Sequence, residues 1–193
     1  MNLLFIGDVV GRKGCEMLKK NLYSIKKQYN IDVTVINGEN SAIGNGITKE
    51  SADILFRYGA DVITTGNHAY KRHEASELFE TNDVIIRPAN YPKGVVGKGY
   101  NIYNCKNKKI AVINLLGRTN MGILAENPFL EADSIIEKVK GKADYIVIDF
   151  HAEATSEKAA LAYYLDGEVN VVAGTHTHVQ KKKKKILPNG TAF

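Results

Sequence analysis

The sequence predicts an α/β fold, and three observations predict it. Short apolar runs rich in Val and Ile alternate with segments of helical periodicity, the signature of a sheet with helices on its faces. The runs are largely apolar from end to end, as buried strands are. One stretch, YNIYNCKNKKIAVINLL, reads instead as two strands around Lys106–Lys108, a hairpin. A mixed sheet or a pair of sheets therefore fits better than a purely parallel winding.

In chain order, NLLFIGDV is the first strand, followed by a helix over Gly14–Tyr29 with Met17, Leu18, Leu22 and Ile25 at roughly helical spacing. DVTVIN is the second strand. Thr48–Tyr58 is a helix opened by a Thr cap with Glu50 and Ser51 behind it, and Gly59 stands where a helix ends. ADVITTG is the third strand, and the hairpin with KKIAVINLL comes next. A helix over Leu130–Lys140, the strand ADYIVIDF, a helix over Thr155–Asp166 closed by Gly167, and the strand NVVAG complete the set. No internal repeat and no Pro-, Gly- or Ser-rich linker divides residues 1–193, so a single domain is expected.

Composition narrows the function classes. A hydrophobic content of 44% with 24% charged residues describes a globular chain and excludes a disordered or fibrous one. Runs such as Ala111–Leu116 are far too short to cross a bilayer. The N-terminal stretch has neither a basic n-region nor a small-residue cleavage site, and a cytoplasmic location is expected. Cys15 and Cys105 are far apart and suggest neither a disulfide framework nor a zinc ribbon. The net charge is +5, and the five consecutive lysines Lys181–Lys185 account for all of it. The basicity is one local run, a solvated loop in the first instance, with contact to RNA as a minor alternative.

The informative residues follow the strands. Asp8 comes after the first, Glu39 and Asn40 after the second, Asn67 and His68 after the third, His151 after YIVIDF, and His176 and His178 after VVAG. Ligands gather at the carboxyl ends of strands in α/β sheets, and glycines directly before Asp8, Glu39 and Asn67 allow sharp turns there. Singly, each residue has a plainer explanation: Asp8 or Asn40 as a cap or turn former, His151 as a core histidine. Their recurrence at strand after strand favours a metal site. The donors are oxygen and nitrogen without sulfur, suited to Mn, Fe or Zn. Alternation in an extended chain aims His176 and His178 to one side. Asp8, Glu39, Asn40, Asn67, His151, His176 and His178 exceed what one zinc ion takes, so two metals about 3.5–4 Å apart are expected, with Glu39 suited to bridge them. His68 is left over beside a ligand, and an imidazole there can serve as general acid.

GDVVGR (7–12), NGEN (37–40), TGNH (65–68), DFHAEATSEK (149–158) and GTHTHVQ (174–180) resemble the YmdB-like phosphodiesterases of the calcineurin-type metallophosphoesterase superfamily. The resemblance covers nearly the whole chain. It implies a four-layer α/β/β/α sandwich with mixed sheets, a dinuclear centre of iron or manganese, and phosphodiesterase activity, with 2′,3′-cyclic nucleotides as the best-known substrates. Carried over motif by motif, Glu39 bridges; one metal also takes Asp8, Asn40 and His178, and the other takes Asn67, His151 and His176. His68 faces the substrate as proton donor, and a metal-bridging hydroxide attacks the phosphorus. The chain departs from the pattern at GNHAYKRHE, where Tyr70 keeps an aromatic but Lys71 replaces an acid, and at the lysine run. It also stops at LPNGTAF, before a glycine-rich segment and further strands, so the second sheet is expected to be incomplete.

Lesser features are read conservatively. SAIGNGIT (41–48) is either a simple turn or a loop that seats a phosphate on the following helix. Arg118 is an exposed loop arginine, and His73 lies on a charged surface helix with Lys71, Arg72 and Glu74. Two alternatives stand beside the cyclic phosphodiesterase. The same centre could cleave phosphomonoesters or RNA, or a catalytically impaired homologue could act as an RNA-binding or regulatory protein. The sequence leaves substrate-binding residues and any homo-oligomer open.

Overall fold

The computed structural model describes residues 1–179 and 185–193. The chain divides into two compact units, Met1–Arg87 with Val96–Lys98, and Pro88–Val95 with Gly99–Phe193. Together the described residues form a mixed α/β fold with two four-stranded sheets and five helices, the expected fold class.

The first unit is a parallel sheet of β1 (Leu3–Ile6), β2 (Val33–Asn37), β3 (Val62–Thr64) and β4 (Ile85–Ile86), in that spatial order. All five residues of β2 are buried, which is why VTVIN lacks alternation. Helix α1 (Gly11–Gln28) turns Cys15, Leu18 and Leu22 inward. Its start at Gly11 lies three residues before the expected one, because the cap position is Val10, whose side chain makes no capping bond and leaves no signal in the sequence. Helix α2 (Lys49–Tyr58) matches expectation closely: Thr48 and Ser51 form a reciprocal capping box, and Gly59 closes the helix at φ 117°. Helix α3 (Ala75–Thr81) was not anticipated. The residues 71–74, read as helical, form turns before it, although His73 is exposed as expected.

The second unit carries β5 (Tyr100–Cys105), β6 (Lys108–Leu116), β7 (Tyr145–Ala152) and β8 (Val171–His176). The hairpin is confirmed: β5 and β6 are antiparallel, Cys105 pairs with Lys108, and Lys106 takes φ 54° in the two-residue turn. β6, β7 and β8 are parallel. Helices α4 (Pro128–Val139) and α5 (Thr155–Tyr164) cover one face. Ala111, Ile113 and Leu115 of β6 and Ile148, Phe150 and Ala152 of β7 pack there against Ile135, Val139 and Leu161. The intervening residues of β7, including Asp149 and His151, project from the other face. The polar character of that face grows toward the carboxyl ends of the strands, where Asn114 pairs with Asp149 and His151 with Thr175.

Candidate metal centre

In the first unit, β2 runs straight into Gly38, Glu39 and Asn40. A Cβ on Gly38 would lie 2.7 Å from Leu55 Cδ1 and 2.9 Å from Ile63 Cγ2, so a side chain there would press on the buried core. Glu39 is fully buried. Its Oε2 accepts the His68 backbone N–H at 3.0 Å, and its Oε1 accepts Asn40 Nδ2 at 3.0 Å with His68 Nδ1 3.2 Å away. The same Asn40 amide donates to Asp8 Oδ2 at 3.2 Å. Asp8, Glu39, Asn40 and His68 are thus brought together. Asn67, half-buried, stands directly before His68 in the turn past β3.

Asn40 supplies the test of whether this set suits a cation. Its amide nitrogen is turned to the two carboxylates, while its Oδ1 is buried and makes no hydrogen bond. Leaving a buried carbonyl oxygen unpaired costs about 1–3 kcal/mol. A buried carboxylate beside a second acid and an orphaned amide oxygen is a donor set that a positive ion satisfies. The residues fit a metal.

In the second unit, His151 is buried inside β7 and His176 ends β8. His151 Nδ1 lies 2.9 Å from Thr175 Oγ1, which donates to Asp149 Oδ1 at 2.6 Å. His151 Nε2 lies 3.1 Å from His176 Nδ1, and His176 Nε2 lies 3.1 Å from Glu153 Oε2. Strand alternation from Thr175 would send His176 to the opposite face. Instead His176 takes φ 87°, a left-handed conformation rare outside glycine, and its ring meets that of His151 edge to face. Such a backbone costs about 1–3 kcal/mol and marks functional positions. Because β8 stops there, an extended strand does not orient His176 and His178 as a pair; His178 lies in coil two residues on.

Asp149, Thr175 and Glu153 were not singled out in the sequence, although all three sit inside the motifs DFHAEATSEK and GTHTHVQ. Lys158 was missed as well. Its stem lies against Gly174, where a Cβ would come 2.8 Å from Lys158 Cδ, and its Nζ donates to Thr177 Oγ1 at 2.9 Å. Helix α5 thereby holds the residue between the two histidines.

The remaining candidates are structural. The ring of Tyr70 packs 5.2 Å from Phe79, and its hydroxyl donates to the Val96 carbonyl. Burial pushes the Tyr70 phenol up, with Arg87 opposing. Arg72 clamps the loop 41–48 by donating to the carbonyls of Asn45, at 2.8 Å, and Ile43. That loop reverses through Gly44, Asn45 and Gly46, all at positive φ. Thr48 Oγ1 accepts the Ser51 N–H at 3.1 Å, so the start of α2 is capped internally and the simple-turn reading is favoured. Arg118 is exposed; it and Thr119 donate backbone N–H groups to Glu157. Of the lysine run, Lys181–Lys184 lie outside the described residues. No helix among the described residues is long and apolar enough to cross a membrane.

The chain is similar to known proteins along nearly its whole length. The family described as YmdB-like protein matches residues 4–193. A Bacillus subtilis (strain 168) protein named 2′,3′-cyclic-nucleotide 2′-phosphodiesterase is 47% identical over 193 residues, covering 100% of this chain and 73% of that protein. Among solved structures, a hypothetical protein from Thermus thermophilus matches with a TM-score of 0.92 and 39% identity, over 100% of this chain and 74% of its own. One described as a novel phosphatase from Mycoplasma pneumoniae matches with a TM-score of 0.90 and 33% identity, over 98% and 69%. The chain therefore belongs to the YmdB-like family of the calcineurin-type metallophosphoesterases, a family of phosphoric ester hydrolases.

Proposed function

We propose that the protein is a metal-dependent phosphodiesterase acting on 2′,3′-cyclic nucleotides, with both compact units serving one catalytic domain across residues 1–193. The observation that carries this reading is the buried carboxylate of Glu39, held through both oxygens beside Asp8 and the unpaired Oδ1 of Asn40. The name of the Bacillus subtilis relative supports the substrate class.

Asp8, Glu39, Asn40, Asn67, His151, His176 and His178 would hold two metal ions, iron or manganese by preference and zinc by chemistry also allowed. Such a pair supplies a nucleophile from water at neutral pH and neutralises charge on the phosphoryl oxygens. The chain's own residues do the rest. Glu39 would supply a buried carboxylate to the metals. His68, held through its backbone N–H and with Nδ1 beside Glu39, presents Nε2 to the substrate and donates a proton to the departing ribose oxygen.

The test is metal analysis of the purified protein together with turnover of 2′,3′-cyclic AMP, alongside a panel of monoesters and RNA. His68→Ala is expected to lose about 10²–10⁴-fold in turnover while keeping its metal. Turnover of His68→Ala at the parental rate would remove the assigned role. A panel in which monoesters are cleaved and cyclic nucleotides are not would replace the substrate class.

A further inference from the structure

In the second unit His151 and His176 are each tied at one nitrogen to an oxygen acceptor, and their other nitrogens face one another. A hydroxyl has one proton. Thr175 Oγ1 gives its proton to the Asp149 carboxylate at 2.6 Å, so toward His151 Nδ1, 2.9 Å away, it can only accept. His151 Nδ1 therefore carries the ring proton and the lone pair is left on Nε2. His176 Nε2 faces the Glu153 carboxylate at 3.1 Å, which accepts only, so Nε2 carries a proton and in the neutral ring the lone pair lies on Nδ1. These two lone-pair nitrogens, His151 Nε2 and His176 Nδ1, are 3.1 Å apart. Two nitrogens on one tetrahedral ion at about 2.1 Å stand roughly 3.4 Å apart, so this pair, at hydrogen-bond distance here, needs to open only slightly to share an ion.

We propose that Asp149 and Thr175 are positioning residues that fix His151 in its Nδ1–H tautomer, making Nε2 its ligating atom, with Glu153 orienting His176 so that Nδ1 ligates the same ion. The inference rests on the reading that these histidines bind metal. The register explains why the relay forms: His151 and Thr175 are direct partners across β7 and β8, and Asp149 lies two residues back on the same face of β7. The two ties differ in strength. Asp149, Thr175 and His151 are 0%, 3% and 0% exposed, so the relay works in a low local dielectric. The Glu153 side chain is 47% exposed and its contact is screened.

The test uses the full chain labelled with ¹⁵N-histidine, with Zn²⁺ as the metal. Two-bond ¹H–¹⁵N spectra of the parental protein are expected to show His151 as the Nδ1–H tautomer before and after Zn²⁺ is added. Thr175→Val is expected to give a mixture of tautomers and to weaken Zn²⁺ about 10–100-fold in competition with a chromophoric chelator. Thr175→Ser, which keeps the hydroxyl, is expected to restore both readouts, and Glu153→Gln to cost less than Thr175→Val. An Nε2–H tautomer in the parental protein would overturn the proposal, and this readout needs no variant to fold. Parental tautomer and parental affinity in Thr175→Val would also overturn it. A parental chain that took up no Zn²⁺ would overturn the metal-centre reading itself, and this inference with it; indifference of Thr175→Val in a chain that binds Zn²⁺ overturns only the inference.

Discussion

In the first unit the candidate donors Asp8, Glu39 and Asn40 stand in loops just past β1 and β2, with hydrogen bonds among themselves and from His68. In the second unit His151 is still inside β7, fixed by ladder bonds on both sides, and His176 is the last residue of β8. Oxygen donors in a loop can adjust to an ion, and their mutual hydrogen bonds are exchanged when one arrives. Imidazoles built into a sheet cannot adjust, so their tautomers and backbone must be right beforehand. One set is adaptable, and the other is prepared.

That contrast can be broken by experiment. The largest effect is expected at Glu39: Glu39→Ala should remove bound metal altogether, whereas His151→Ala should retain one ion, read as metal equivalents in the purified proteins. Equal loss in both would show that the sets are not distinct. Next is Phe150→Ala. Phe150 is fully buried under the sheet, beside His151 in sequence and among the residues that pack on α4 and α5. Its loss should cost about 3–5 kcal/mol in denaturant unfolding and should weaken metal binding through His151. The smallest is Thr48→Ala, which removes the cap of α2 for about 1 kcal/mol and should leave metal content unchanged. Metal loss in Thr48→Ala would mean that the loop set is more rigid than its hydrogen bonds suggest.

Much of the fold was legible because its signals are local. Thr48, Ser51 and Gly59 mark α2 by their own chemistry, and the apolar runs mark six of the strands. What was missed lacks such marks. Val10 offers no cap to announce α1, α3 is seven residues long with no side-chain cap bond, and β4 is two residues long. The site divides in the same way. Glu39, Asn40 and His151 could be named because each closely follows an apolar run, although His151 itself lies inside β7. The relay from His151 through Thr175 to Asp149 could not, because it depends on the register between β7 and β8, which no single stretch of sequence states.

The left-handed backbone of His176 sets chain comfort against usefulness at a single position. Glycine would adopt φ 87° without penalty, so His176→Gly should make the metal-free chain more resistant to heat, by up to about 1 kcal/mol at its melting point. The same replacement discards an imidazole and should lower metal uptake. A search for hardier variants of this protein would therefore select, at position 176, against the property that makes the position worth having.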